Sequence, residues 1–584
     1  MQRDLNRLSA QCHDLLIVGG GIHGACAAWE AALRGLSVAL IERDDLGQAT
    51  SSNSQKIVHG GLRYLQSLDL KRMRESIRER AILLRIAPHL VHPVPFLMPT
   101  YGHGLRSKPV MAAAFFLNDL ISHDRNHNLD DLSQQIPRCQ VVSRQECLRL
   151  APGIHEQGLT GGALWHDGQM YNSERLTLSF LLSAYRVGAT VANYVKAVSL
   201  LRDVDRVSGV VAEDVVTGRR FEIRARTVLN TAGPWAMQLA GSPTRNDHEQ
   251  RIAYLKAMNL VTRPLTNGIA LGVGNNGPRR NGPGLFFITP WRDRSVIGTV
   301  YSLYQGDPDQ CQVSEEEIQR FLDEINSIYP PAQLCREEVS FAHLGLLPAT
   351  SVNAAEQRVQ LETRYRLINH QRRDGIDGLV SVVGVKFTTA RDVAERAVNL
   401  VCGKLNRGIP RRVRSREEPL VGGRIERFEE FLKCEIAKQP HGLQASIIRH
   451  LIFSYGSSYG EVLKWVDEDP GYGGTVDGSS EVIKAEIIHA VRKEMAVKLV
   501  DVIFRRTDLG TRGYPGEACL YTCTAIMARE CGWDAQRRTE EIEDVRAVFA
   551  RKRIAIGALP LPKVQEPRTL ALRETYSRGL MLLR

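Results

Sequence analysis

Apolar residues fall in short runs through most of the chain and at helical spacing in its last quarter. Residues 15–18 form one such run, 25–33 suit a helix, and 38–41 form a second run closed by Glu42. This order predicts strand, helix, strand. Residues 70–86 carry Arg and Glu at the spacing of an exposed amphipathic helix. Pro88, Pro93, Pro95 and Pro99 then interrupt regular structure. A helix is predicted over 172–187, with strands at 190–200, 207–216, 219–223 and 227–229. Between 250 and 350, short strands alternate with Gly/Pro turns, the pattern of an antiparallel sheet. Residues 379–383 predict a strand, followed by Gly384 and a helix from about Thr388. Beyond about 415 the chain is poor in Gly and Pro and reads as helical to about 555. The basic, Pro-containing tail after Pro560 reads as loose.

At 584 residues the chain exceeds what one core serves. The predicted class is α/β: a Rossmann-like domain with a parallel sheet, an antiparallel substrate-capping domain and a C-terminal all-helical domain. The first is assigned to 1–100, 161–250 and 351–412. The cap takes 101–160 and 251–350, the helical domain 413–555, and the tail 556–584. A hydrophobic content of 43% and a charged content of 24% describe an ordinary globular protein. No apolar run reaches the roughly 18 residues of a membrane span. No signal peptide is expected, because the first strand starts near residue 14. The 11 cysteines are scattered without a paired C-x-x-C. They read as reduced thiols of a cytoplasmic protein, and no metal site is expected. The net charge of +11 favours anionic surfaces or substrates. No nucleic-acid motif accompanies it.

Gly19, Gly21 and Gly24 have the G-x-G-x-x-G spacing between a strand and a helix. Gly19 permits the turn, Gly21 lets the backbone approach a pyrophosphate, and Gly24 lets the helix pack on the strand. The helix N-terminus offers free N–H groups to phosphates. Glu42, 18 positions beyond Gly24, suits a ribose hydroxyl. Alone the glycine spacing is weak; in this strand–turn–helix–strand–Glu context it predicts a dinucleotide site.

Residues 50–65, TSSNSQKIVHGGLRYL, decide which dinucleotide. Thr50, Ser51, Ser52, Ser54, Gly60, Gly61 and Leu62 suit close contact with a flat ring and a ribityl chain. Lys56, His59, Arg63 and Tyr64 stand among apolar neighbours. This composition points to a flavin more than to a nicotinamide. The strand ending in Gly233 and the turn at Gly384 bring the backbone close to a ligand again.

These segments resemble the FAD-dependent, quinone-linked glycerol-3-phosphate dehydrogenases over nearly the whole length. The resemblance includes WHDGQMYNSERL at 165–176, VLNTAGPWA at 228–236, FFITPWRDRSVIGT at 286–299 and GVKFTTAR at 384–391. In the helical region it includes YGSSYGEVL at 455–463 and FRRTDLG at 504–510. It implies FAD as cofactor and oxidation of sn-glycerol 3-phosphate to dihydroxyacetone phosphate, with hydride passing from C2 to flavin N5 and electrons then to a quinone. It places Gly384, Lys386, Phe387 and Thr388 at the flavin, and Arg63, Tyr64 and Lys386 at the substrate. The other implied partners are an anionic membrane surface at the inner face of the cytoplasmic membrane and a second copy of the chain; nucleic acid is not among them. The helix at 70–86 and the basic tail are the expected membrane contacts.

The chain departs from that family at the substrate. Asn259 stands where the family has His in K-G-x-H, and Leu347 where it has Arg in G-V-R-P. GVK replaces GGK, and Asn172 stands where Asp is common. Asn cannot take a proton, and one lost charge-assisted contact costs about 1.5–3 kcal/mol. His343 is the nearest alternative imidazole in sequence. Three readings stay open: a glycerol-3-phosphate dehydrogenase with a rearranged site, a flavin dehydrogenase or oxidase of another polyol phosphate, 2-hydroxy acid or amine, and a flavin-binding protein with little turnover.

Overall fold

The structure is a computed structural model. It describes residues 1–584 except 103–106, 241–252, 275–284, 354–357, 363, 385, 406–412, 479 and 556–584. The tail expected at 556–584 lies outside the described residues.

Two sheets organise the first two-thirds of the chain. The first has eight strands. Its parallel centre is Leu379–Val383, Arg220–Asn230, His13–Val18, Val38–Ile41 and Thr190–Ala192, in that spatial order. His13–Val18 is buried throughout, as a strand covered on both faces must be. Helices Ile22–Leu33, Ser173–Arg186 and Ala390–Leu405 supply Ala25, Ala28, Phe180, Ala394 and Ala397 to the core beneath it. Small residues dominate the first helix, which lets it lie close to the sheet.

The second sheet has ten strands. Tyr254–Thr262 lies between Arg294–Tyr304 and Phe341–Asn353, all antiparallel. Phe286–Trp291 and Ala270–Val273 extend it to Val91–Tyr101 and Leu159–Met170. The helical region runs from Phe428–Lys438 to Ala535–Arg551. It packs on this sheet through Phe341, Phe504 and Phe549, whose ring centroids lie 5.2–6.2 Å apart. Burying each such ring contributes about 1.5–3 kcal/mol.

Several sequence expectations are corrected by the pairing. The strands expected at 219–223 and 227–229 are one strand, Arg220–Asn230. Its first half pairs antiparallel with Arg206–Asp214 and its second half parallel with His13–Val18. The strand expected at 190–200 is two, broken where Tyr194 takes φ +55°. The expected boundaries at 100 and 160 cut through Val91–Tyr101 and Leu159–Met170, which pair in register as Phe96 with Trp165. The boundary at 350 likewise falls inside Phe341–Asn353, whose partner Arg358–Leu361 also belongs to the cap. Those memberships are fixed by partners far along the chain, so local patterning does not reveal them.

Helix Leu70–Ile86 forms over its expected range, started by Asp69, which accepts from the Arg72 N–H at 3.1 Å. It is not a solvated helix: Met73, Ile77, Glu79, Arg80, Leu83 and Leu84 are buried. Its outer charges are tied to the protein, Arg74 to Asp124 at 2.5 Å, Arg78 to Asp392 at 2.6 Å and Glu75 to Arg396 at 3.1 Å. Among the described residues no helix is long and apolar enough to cross a membrane.

Candidate functional site

The glycine turn is built from close contacts that no side chain could share. A Cβ on Gly24 would lie 1.9 Å from the Gly19 carbonyl oxygen, and one on Gly19 would lie 2.6 Å from that of Thr231. Thr231 Oγ sits 3.0 Å from both the Val18 and Gly19 carbonyls, closing the strand ends together. The helix begun at Gly21 points its N-terminus into a cavity, and Ser51 Oγ accepts from the Ile22 N–H at 2.9 Å. Glu42 accepts from the Gly20 and Asp44 N–H groups at 2.7 and 3.0 Å. Burial pushes its pKa up to about 7, against the lowering effect of those two bonds.

The cavity measures about 1380 Å³ and lies between the two sheets. Of the expected cofactor residues, Gly19, Gly21, Glu42, Thr50, Ser51, Ser54, Gly61, Leu62, Gly233, Gly384, Lys386, Phe387 and Thr388 line it. Of the expected substrate residues, Arg63, Tyr64, Lys386 and Asn259 line it, as does Leu347. Gly24 is beneath the turn. Ser52 turns back to donate to the Gln48 carbonyl at 2.8 Å, so it does not reach the cavity. Gly60 faces away: its N–H donates to Asp167 at 2.5 Å, and a Cβ there would lie 2.2 Å from Arg80 Nη1. Arg80 passes under the turn to the same Asp167 carboxylate at 2.5 Å. Asn172 sits at the start of its helix, away from the lining.

His343 does not supply the cavity with an imidazole. It is 1% exposed, and neither ring nitrogen has a hydrogen-bond partner among the described residues. Its ring packs on Phe341 at 5.1 Å, toward the helical region. Although it is the register partner of Asn259, it faces the aromatic core. Burial, then the charges of Lys56 and Lys552, drive its pKa well below the usual imidazole range. Lys56 is also structural: its ammonium is 2.9 Å from both Glu174 carboxylate oxygens.

Cations collect at one end of the cavity. Lys386 donates to the Tyr64 hydroxyl, with its nitrogen 4.3 Å from the centre of that ring. Burial, then the nearby Arg72 and Arg63, push the Lys386 pKa down to about 8. Arg63 is exposed at the same mouth. His59, which the sequence marked only as a polar group, stands 6.0 Å from Tyr64 edge-on and lines the cavity. Burial, then Lys386 and Arg63, push its pKa down to about 3, so the ring is neutral at working pH. Its backbone N–H donates to Thr388 Oγ at 3.2 Å, which ties the HGG turn to the GVK turn.

The capping sheet forms the facing wall. Asn259 is 2% exposed, and its Oδ1 accepts from Thr299 at 2.7 Å. Leu347 stands opposite Leu255, two register pairs beyond the row that carries Tyr301. Gln55 donates to the Gly298 carbonyl at 2.9 Å. Gln55, Tyr301, His23 and Asp167 also line the site and were missed in the sequence. Of these only His23, inside the glycine motif, carried a signal. A Cβ on Gly384 would lie 2.1 Å from the His23 ring, so this glycine lets the second turn cross the first.

The fit to FAD is direct. The cavity runs from a glycine turn with a helix N-terminus, past an acid at the second strand end, to a cationic and aromatic end large enough for a flavin and a small anion. The FAD dependent oxidoreductase family model matches residues 14–377, and that of the C-terminal domain of alpha-glycerophosphate oxidase matches 413–538. A glycerol-3-phosphate dehydrogenase of Synechocystis is 32% identical over 93% of this chain and 97% of its own length. An alpha-glycerophosphate oxidase of Streptococcus pyogenes is 28% identical over 94% and 96%. The glycerol-3-phosphate dehydrogenase of Bacillus halodurans, solved with FAD, shares the fold: TM-score 0.73, 24% identity, covering 96% of this chain and 98% of that one. The chain is an FAD-dependent oxidoreductase and belongs, glycine turn, capping sheet and helical domain together, to the glycerol-3-phosphate dehydrogenase family.

Proposed function

We propose that the protein oxidises the C2 hydroxyl of sn-glycerol 3-phosphate to the ketone of dihydroxyacetone phosphate. The observation that carries this reading is one group of side chains at the cavity's cationic end: Arg63, Lys386 and Tyr64 beside the neutral His59 imidazole. Arg63 and Lys386 hold the phosphate by charge-assisted hydrogen bonds. Tyr64, whose hydroxyl accepts from Lys386, fixes that ammonium. His59 accepts the C2 hydroxyl proton on its free ring nitrogen as the C2–H bond breaks. Bound FAD supplies the two-electron acceptor for the hydride that leaves C2. The capping sheet keeps bulk water from the reacting carbon.

Anaerobic addition of glycerol 3-phosphate is expected to bleach the oxidised flavin spectrum. An unchanged spectrum at millimolar substrate rules this substrate out. Arg63→Ala is expected to raise KM about tenfold to a hundredfold, the worth of one charged contact, with a smaller effect on kcat. KM is also expected to rise with pH. Lys386 has its pKa lowered to about 8, so its cation is lost as the pH climbs through that value. A KM flat across that range removes Lys386 from the phosphate site.

A second reading, a close analogue of glycerol 3-phosphate as the substrate, rests on Leu347 and Asn259. Both line the cavity, and neither offers charge. Leu347→Arg together with Asn259→His is expected to raise kcat/KM for glycerol 3-phosphate by about tenfold or more. A decrease would point instead to another polyol phosphate that these two residues fit.

Electrons leaving the flavin pass to a membrane quinone in this reading. Helix Lys108–Ile121 turns apolar residues outward beside the cavity mouth, Phe116 at 76% and Leu120 at 62% exposure, with Leu68 at 74%. Val110 and Leu68 are exposed and also line the cavity. This face suits the surface of a bilayer and gives an apolar acceptor a route inward. Phe116→Glu with Leu120→Glu is expected to abolish co-sedimentation with anionic vesicles; retained binding moves the contact elsewhere.

A further inference from the structure

The last helix of the helical domain reaches the flavin side of the cavity through one residue. Lys552 caps helix Ala535–Arg551. Its ammonium donates to the Ala342 carbonyl at 2.8 Å and to Asn53 Oδ1 at 3.1 Å, and lies 4.6 Å from the centre of the Phe341 ring. It forms no ion pair among the described residues. An enclosed ammonium held by neutral acceptors and a ring face is uncommon, because desolvation of the charge is met only by hydrogen bonds. Burial pushes its pKa down to about 7.

The two groups it holds belong to opposite walls. Asn53 lies in the loop that carries Thr50, Ser51 and Ser54, and lines the cavity with them. Its side chain spans the loop, donating to the Ala49 carbonyl at 2.8 Å, while the same Oδ1 accepts from the Leu344 N–H at 3.1 Å. Thr50 adds a second tie, donating to the Leu346 carbonyl at 3.2 Å. Gly345, Leu346 and Leu347 of that strand line the cavity as well. Loop and capping strand therefore meet along two direct hydrogen bonds, and Lys552 bridges them from a different domain with two more.

We propose that Lys552 is a positioning residue through which the helical domain fixes the flavin-binding loop at 49–54 against the capping strand at 342–347. It acts through Asn53 and the Ala342 carbonyl and touches neither flavin nor substrate. The cation strengthens both bonds relative to a neutral donor. Its removal leaves Asn53 Oδ1 with a single donor and the loop tied to the strand only by its two direct bonds.

The test is the full chain carrying Lys552→Met, which keeps the apolar stem, beside Lys552→Arg, which keeps the charge and donors. Lys552→Met is expected to weaken FAD binding to the cofactor-free protein about tenfold or more. In that cofactor-free state, amide hydrogen exchange at 49–54 and 342–347 is expected to rise. Lys552→Arg is expected to restore both. Unchanged FAD affinity and exchange in Lys552→Met overturns the assignment, because the retained stem would then suffice, as does equal loss in the Met and Arg variants, because charge and donors would then restore nothing. Should Lys552→Met not fold, Asn53→Ala reads the same contact from its other side. It is expected to raise exchange at 342–347, and unaltered exchange there overturns the assignment too. None of these readouts uses a substrate, so they stand apart from the identity of the substrate.

Discussion

His59→Asn is expected to slow flavin reduction by the substrate about 10²- to 10⁴-fold, the usual worth of a positioned proton acceptor, while FAD stays bound. The bonds that hold the HGG turn do not involve the ring. The His59 N–H reaches Thr388 and the Gly60 N–H reaches Asp167, and both survive the substitution. Asn fills part of the same space without a basic nitrogen. The pH dependence sharpens the expectation. In the cofactor-free protein the ring's pKa sits near 3 because it is buried beside Lys386 and Arg63. A bound phosphate dianion offsets those cations and raises it. The rate should therefore fall on the acid side as the ring becomes protonated, and the variant should lack that limb. A reduction rate equal to that of the parent protein would remove His59 from the chemistry. It would leave Asp167, a carboxylate buried at this wall, as the group to test next.

Asp45→Ala is expected to cost about 3–5 kcal/mol, the penalty for leaving buried charge without its partner. Asp45 is fully buried and lies three residues beyond Glu42. Its carboxylate takes two bonds from Arg506 at 2.6 and 2.7 Å, one from Arg505, and one from Asn193 at 2.9 Å. Burial pushes its pKa up, but Arg506 and Arg505 overcome this and hold it well below the ordinary carboxylate range. Arg505 and Arg506 belong to the helical domain, so this cluster fastens that domain to the segment that follows Glu42. Denaturant titration of the holoenzyme measures the loss. A second, earlier transition assigned to 413–555 is expected beside it. A single unshifted transition would show that the two guanidinium groups find other partners. A carboxylate with a lowered folded pKa contributes stability above its unfolded value, and that contribution is lost on acidification.

How far the sequence carried the reading differs along the chain. The glycine turn and Glu42 were legible because each requirement is local: a turn without Cβ, a helix start, an acid at a strand end. The cationic end was legible only through the resemblance, since Arg63 and Lys386 are 323 positions apart. Tyr301 and Gln55 were not legible, because cap strands fix what they face by register with remote partners. Which way His343 faces was hidden for the same reason. Its neighbour in the sheet is Asn259, but the ring turns to Phe341 and Trp291, which stand on other positions of the same sheet. Lys552 carried no signal at all. A lysine at a helix end is ordinarily a solvated dipole partner, and only the tertiary arrangement puts it on Asn53.

The interleaving of the two sheets bears on how this protein is made in the cell. Strand Leu379–Val383 and the turn to Thr388 complete the first sheet's ligand edge, yet they follow the whole of the capping sheet in sequence. A nascent chain shorter than about residue 388 cannot close its cofactor site, however well its glycine turn has formed. Premature termination anywhere before that point yields an apoprotein with unpaired parallel strands, prone to association. Flavin capture is thus a late event of synthesis.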